Sequence, residues 1–214
     1  MKILPTDSLT SLKLWYFPTR GRAESVRLML TDQGKQWEEV TVTGQTWGTL
    51  KKSCLFGQLP KLEDGDLTLF QTNAIRRYLA RRLGVYGQNE KETALIDMMD
   101  ESLTDLQAKY MKLIYQEYES GKDKYLQELP QNLARYENIL SCNKGGFLVG
   151  SQISLADYIL LLLLLNHQVL SPSCLDLFPI LKSYLDRLCS RPNLKAYLQS
   201  DAFKNRPINA NGKQ

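Results

Sequence analysis

The 214-residue chain predicts an α/β domain built on a mixed four-stranded sheet, followed by a domain made of helices alone. Three observations carry that prediction. Strand-like and helix-like apolar patterns alternate up to about Gly84. Within that part, Leu62, Leu67 and Leu69 alternate with polar residues around Asp64-Gly65, the signature of an antiparallel hairpin. Beyond Val85 to Lys91, whose Gly87, Gln88 and Asn89 mark a linker, apolar residues recur only at helical spacing. The expected domains are residues 1–87 and 92–214.

Residues 1–11 are polar and expected to be loose, and Pro5 and Asp7 interrupt any secretory h-region. Leu12 to Phe17 reads as the first strand. Pro18-Thr19-Arg20-Gly21-Arg22 breaks it, and Ala23, Val26 and Leu30 continue as a helix that stops near Gly34. Trp37 to Thr43 is the second strand, parallel to the first by the right-handed crossover rule, and Trp47 to Ser53 reads as irregular. Pro60 opens the third strand. It has no N–H for the ladder, so it belongs at a strand start or edge and leaves the backbone of Leu59 free for a partner outside the sheet, such as an extended peptide. Gln71-Thr72-Asn73 follows the fourth strand and starts the helix of Ile75, Leu79 and Leu83. Free N–H groups and the positive dipole end collect there and suit a carboxylate. One parallel pair plus one antiparallel hairpin is the thioredoxin-like plan.

In the second half, Leu95, Met98, Met99, Leu103, Leu106, Tyr110, Leu113 and Ile114 trace a helix over Thr93 to Glu119. Lys122 to Leu140 is a second, with a break or kink expected at Pro130. Ser154-Leu155-Ala156-Asp157 has capping-box spacing ahead of Ile159 to Leu165, a run too short to span a bilayer and therefore read as a helix buried on all sides. Phe178 to Cys189 and Asn193 to Leu198 add two shorter helices.

At 43% hydrophobic and 23% charged residues the chain is globular, and with no signal or membrane span the expected location is the cytoplasm. Cys54, Cys142, Cys174 and Cys189 form no C-x-x-C, and the single His167 leaves no zinc set, so free thiols and no metal are expected. The net charge is +4, and Arg76, Arg77, Arg81 and Arg82 crowd one helix. At about 100° per residue they spread over more than half its circumference, with no aromatic residues between them, so they read as a solvated face rather than a nucleic-acid surface.

Tyr16 ends the first strand and faces the loop into the first helix. A thioredoxin-like domain that exchanged disulfides would need a nucleophilic cysteine in Pro18 to Arg22, where the helix dipole lowers its pKa, and none is there. A hydroxyl donor beside arginines stands instead. It can stabilise a thiolate supplied by another molecule.

Tyr16-Phe17-Pro18-x-Arg20-Gly21-Arg22, Trp47, Gly57-Gln58-Leu59-Pro60, Gln71-Thr72-Asn73, Ile153-Ser154-Leu155-Ala156-Asp157-Tyr158 and the closing Asn209-Ala210-Asn211-Gly212-Lys213-Gln214 together resemble a glutathione transferase of the Pi class, from about Leu12 to the end. The resemblance implies conjugation of glutathione to hydrophobic electrophiles, with glutathione as co-substrate and no cofactor. It implies a cis Pro60 presenting Leu59 to the cysteine of glutathione, and Gln71 and Thr72 at the γ-glutamyl end, with Arg22 adjacent and Asp105 reaching in from a second subunit. It implies Trp47, Lys51 and Gln58 at the glycine end, Tyr16 as hydrogen-bond donor to the sulfur, and Phe17 and Tyr115 at the electrophile. Phe56 falls where the family inserts an aromatic key into a neighbouring subunit, which implies a homodimer. Cys54, beside Lys51 and Lys52, falls at a position where the family has a reactive cysteine.

The stretch Gly48 to Leu50 is shorter than the family's usual connection, which predicts displaced Trp47 or Lys51 and weaker glutathione binding. Thr72, Thr104 and Trp15 also depart from the residues usual there. The alternative reading is a low-activity paralogue that binds glutathione or other ligands and interacts with signalling proteins.

Overall fold

The computed structural model describes residues 12–214; the loose polar lead expected over 1–11 lies outside the described residues. The four strands are β1 (Leu12–Tyr16), β2 (Trp37–Thr41), β3 (Lys61–Asp64) and β4 (Leu67–Phe70), in the spatial order β2-β1-β3-β4. β1 pairs in parallel with β2, from Leu12 opposite Trp37 to Tyr16 opposite Thr41, and β3 runs antiparallel to both β1 and β4. Alternation along β1 buries Leu12, Leu14 and Tyr16 on one face. On the other face Trp15 finds partners that suit its bulk: its indole donates to Glu63 at 2.9 Å, and the Lys61 ammonium lies 3.8 Å over the ring.

A short 3-10 turn, Gly21–Ala23, leads into α1 (Glu24–Asp32), followed later by α2 (Gly44–Ser53) and α3 (Thr72–Leu83). The helical half comprises α4 (Glu90–Gln116), α5 (Tyr118–Cys142), α6 (Leu155–Leu170), α7 (Pro179–Cys189), α8 (Pro192–Gln199) and α9 (Asp201–Lys204). α6 is its axis: it packs on α1, α3, α4 and α7, and Tyr158 to Leu164 are all buried. Its start is held by Asp157, which accepts from Ser154 N and Oγ at 2.8 Å, from Leu148 N at 3.0 Å and from the Tyr184 hydroxyl at 2.7 Å.

Several expectations are corrected. Trp47 to Ser53 is helical, not irregular. α2 buries no residue at all, so no apolar stripe betrays it, and it starts on a reciprocal cap in which Thr43 N donates to Thr46 Oγ1 at 3.0 Å. The hairpin loop is Gly65-Asp66, one residue later than read, with Gly65 at φ +62°. Asp64 instead belongs to β3, where it accepts from the Tyr78 hydroxyl at 2.6 Å and pairs with Arg82. Pro130 does not end its helix: α5 runs through it, because Leu129, Leu133, Tyr136 and Leu140 bury one face and outweigh a single missing bond.

The arginine cluster is a solvated face only in part: Arg81 and Arg82 are exposed, but the other two are not free. Arg76 is fully buried and donates to Asp100 at 2.7 Å and Asn73 at 2.9 Å, while Arg77 meets Asp97 and Asp100 at 3.0 Å and also pairs with Glu101. Their acidic partners lie on α4, twenty or more residues on, so local periodicity does not reveal them.

Candidate functional site

A cleft of about 710 Å³ opens beside the end of β1. It is lined by Tyr16, Phe17, Arg22, Trp47, Lys51, Gly57, Gln58, Leu59, Gln71, Thr72, Asn73 and Thr104. Only Thr104 comes from the helical half. The end of β1 and its following turn, α2, the loop ahead of Pro60 and the start of α3 deliver the rest.

Tyr16 is buried, 7% exposed, at the last position of β1, and its hydroxyl oxygen accepts the N–H of Arg22 at 3.1 Å. Among the described residues that hydroxyl has no acceptor for its own proton. Burial raises its pKa above the ordinary tyrosine value, so it stays a protonated donor. The turn around it is tight. Gly21 adopts φ +45°, and a Cβ there would lie 2.6 Å from Tyr16 Oη, so close approach and backbone conformation both require glycine. Beneath the turn the buried Arg27 donates to the carbonyls of Thr19 at 3.0 Å and Arg20 at 3.3 Å and pairs with Glu24 and Glu39. Burial opposes the Arg27 charge, but those carboxylates more than offset it and hold its pKa above normal.

The peptide between Leu59 and Pro60 is cis, with Pro60 buried just ahead of β3. Gln71, before the first turn of α3, has φ +70°, a conformation that costs a non-glycine residue about 1–3 kcal/mol and is held here at the edge of the cleft. Its Nε2 donates to Gln58 at 3.3 Å. Phe17 packs edge-to-face on Trp47, with ring centroids 5.4 Å apart. Trp47 and Lys51 are four residues apart on α2 and line the cleft together. Gly48 to Leu50 is therefore the helical turn between them, and its shortness removes neither from the cleft.

The N-terminal domain model of the glutathione S-transferases matches residues 10–81 and the C-terminal domain model matches residues 104–201. The chain is similar to glutathione S-transferase P of Bos taurus, 58% identical over 93% of this chain and 97% of that one, and to its Homo sapiens counterpart, 56% identical over the same shares. It is also similar to the solved Pi-class enzyme of Onchocerca volvulus, at 43% identity and a TM-score of 0.92 over 96% of this chain and 100% of that one. The chain belongs to the Pi-class glutathione S-transferases.

In this transferase Pro60 lies beside the cleft lining rather than in it, and Asp105, Tyr115 and Phe56 stand apart from it. Asp105 is exposed on α4, in a separate groove with Ser102, Lys109 and Arg135. Tyr115 is 42% exposed and its hydroxyl accepts the N–H of Ala210 at 3.0 Å. Phe56, 56% exposed beside Leu55 at 75%, packs edge-on against Phe70. Cys54, at a position where the family has a reactive cysteine, is buried at the C-terminal cap of α2. All four cysteines are free.

The sequence reading passed over the roles of Gly21, Asn73, Thr104, Arg76 and Arg27. Asn73 had a local signal, because it shares the first turn of α3 with Thr72. The others act through contacts that only the fold creates. Asn73 Nδ2 donates to Thr104 Oγ1 at 3.4 Å, and Arg76 beneath them donates to Asn73, which ties the two halves together at the cleft floor.

Proposed function

We infer that the chain conjugates the thiolate of glutathione to hydrophobic electrophiles, with Tyr16 as the activating residue. The observation that carries this reading is the Tyr16 hydroxyl, buried at the cleft, accepting from Arg22 N–H while its own proton is free to donate. A sulfur next to it would receive that proton as a hydrogen bond. Free thiol has a pKa near 8.5, and lowering it by about two units needs roughly 2.7 kcal/mol. One hydrogen bond to an anion supplies about 1.5–3 kcal/mol.

The roles of the other residues follow from their chemistry. The Leu59 backbone meets the cysteine moiety. Arg22, Gln71 and Thr72 take the γ-glutamyl end at the α3 N-terminus, and Trp47, Lys51 and Gln58 take the glycine end, with Lys51 as a point charge for its carboxylate. The thiol gives up its proton to solvent, sulfur forms a bond to the electrophilic carbon, and the displaced electron pair leaves with the departing group or moves into the conjugated system, which then takes up a proton from solvent. The nucleophile comes with the co-substrate, so the reaction calls for no cofactor. Phe17 and Tyr115 flank the electrophile.

Exposed Phe56 and Leu55 support a homodimer in which Phe56 enters a second copy and Asp105 reaches the neighbouring cleft. Four unpaired thiols support a reducing compartment, the cytoplasm, and no helix among the described residues is long and apolar enough to cross a membrane. The test is the rate of conjugation to chlorodinitrobenzene against pH for the wild type and Tyr16→Phe. The wild type is expected to show an apparent pKa well below that of free thiol, and the variant to lose most of the rate at neutral pH. Equal profiles would remove Tyr16 from the mechanism.

A further inference from the structure

Beyond α9 the chain runs back across the loop that follows β1. The N–H groups of Arg20 and Gly21 donate to the carbonyls of Pro207 and Ile208 at 2.8 and 3.0 Å. The Arg20 guanidinium stacks 3.7 Å over Phe203 and donates to its carbonyl at 3.0 Å. Two residues after Ile208, Ala210 N–H donates to the Tyr115 hydroxyl at 3.0 Å, and Asn211 Nδ2 donates to the Ile114 carbonyl at 2.8 Å. One segment thus touches both the turn beside Tyr16 and the hydroxyl of Tyr115. Its anchor is Asn209, 2% exposed, whose Nδ2 donates to the Tyr110 hydroxyl at 2.9 Å and to the Lys213 carbonyl at 2.8 Å.

These contacts bear on Tyr16 directly. Gly21 lies against the Tyr16 hydroxyl, and the next N–H along the chain, that of Arg22, donates to it. Arg27 grips the carbonyls of the turn from inside, and the C-terminal segment receives two of its N–H groups from outside. Release of the outer grip lets the turn open, and the donor direction of Tyr16 turns with it.

We propose that residues 207–211 are a positioning segment of the transferase reaction: anchored by Asn209, they hold the Arg20-Gly21 turn against Tyr16 so that its hydroxyl meets the sulfur, and they fix the Tyr115 hydroxyl. The segment acts through Tyr16, so the proposal rests on the reading of Tyr16 as donor to the thiolate.

The test is the pH profile of conjugation to chlorodinitrobenzene for Asn209→Ala. The apparent thiol pKa is expected to rise toward the free value of about 8.5. If it rises by about one unit, kcat/KM falls roughly tenfold near pH 6 and converges on the wild type above about pH 9, where thiolate forms unaided. A purely structural role would lower the rate by one factor at every pH, and that result overturns the proposal. Tyr110→Phe removes the acceptor of the anchor while keeping the ring in place, and is expected to shift the profile in the same direction; no shift in either variant overturns the proposal. Lys213→Ala, which loses an exposed contact to Glu119, is expected to keep the wild-type profile. Tyr16→Phe is measured alongside. If it keeps the wild-type profile, the donor reading fails; if it loses the rate while Asn209→Ala and Tyr110→Phe keep the wild-type profile, only the role of the segment fails.

Discussion

Replacing Gly21 by alanine puts a methyl group where Tyr16 already stands. The added Cβ lies 2.6 Å from Oη, 3.0 Å from Cε1 and 3.2 Å from Cζ, all inside the roughly 3.5–4.0 Å of comfortable carbon contact. The φ of +45° costs alanine about 1–2 kcal/mol more. Tyr16 is packed into the core, and Gly21 is bonded to Ile208, so relief requires either a displaced hydroxyl or an opened turn. Both break the contact with Arg22 N–H and move the donor off the sulfur. A hydrogen bond to a charged partner is worth about 1.5–3 kcal/mol, so kcat/KM at neutral pH is expected to fall by roughly 10- to 150-fold. The loss should lie mainly in kcat and in a raised apparent thiol pKa. The glutathione KM should rise less than kcat falls, because Trp47, Lys51, Gln71 and Thr72 stay where they are and only Arg22 lies on the disturbed turn. The assay is steady-state conjugation at varied glutathione and varied pH. A Gly21→Ala enzyme with kcat within about twofold of the wild type and the same pH profile would refute the reasoning.

Arg76→Met alone exposes Asp100 to a partly uncompensated burial and is expected to cost about 3 kcal/mol, near 6–12 °C in melting temperature for a chain of this size. The double variant Arg76→Met/Asp100→Leu should recover most of it, since Nε and Nη1 of Arg76 have no hydrogen-bond partner among the described residues; no recovery in a thermal melt would contradict this. His167 is fully buried, with Nδ1–H donating to the Leu163 carbonyl and Nε2 accepting from the Tyr125 hydroxyl, each at 2.6 Å. Burial pushes its pKa down to about 4, so the unfolded chain takes up the proton first: stability is complete above about pH 6.5 and is lost as pH falls toward 4. Urea midpoints should decline over that window and decline less in His167→Gln; parallel declines would remove His167 as the cause. Among the thiols, exposed Cys142 should react first with a disulfide reagent at pH 8, because Cys54 is buried and burial pushes Cys174 and Cys189 up to about 11. Peptide mapping of the first modified site checks it, and Cys174 or Cys189 labelled ahead of Cys142 would contradict it.

The sequence by itself determined what depends on neighbours along the chain. Alternation in β1 and β3 and the 3.6-residue stripes of α3, α4, α5 and α7 were legible because burial of one face writes its period into the residues, and α6 was legible as an unbroken apolar run. The Tyr16 loop, Pro60 at the start of β3 and Gln71-Thr72 were legible as local motifs, while the cis Leu59-Pro60 peptide followed only from the family resemblance. α2 was not, since a helix that buries nothing leaves no stripe, and it was this helix that brought Trp47 and Lys51 to one cleft across a stretch that looked too short. Only the tertiary structure paired Arg76 with Asp100, set Thr104 opposite Asn73, brought a Cβ-free Gly21 against Tyr16, and laid residues 207–211 over the loop at Arg20. Each of these joins residues distant in sequence or depends on a few tenths of an ångström of packing. Close packing and buried charge are properties of the folded interior, and no one-dimensional pattern records which two surfaces will meet.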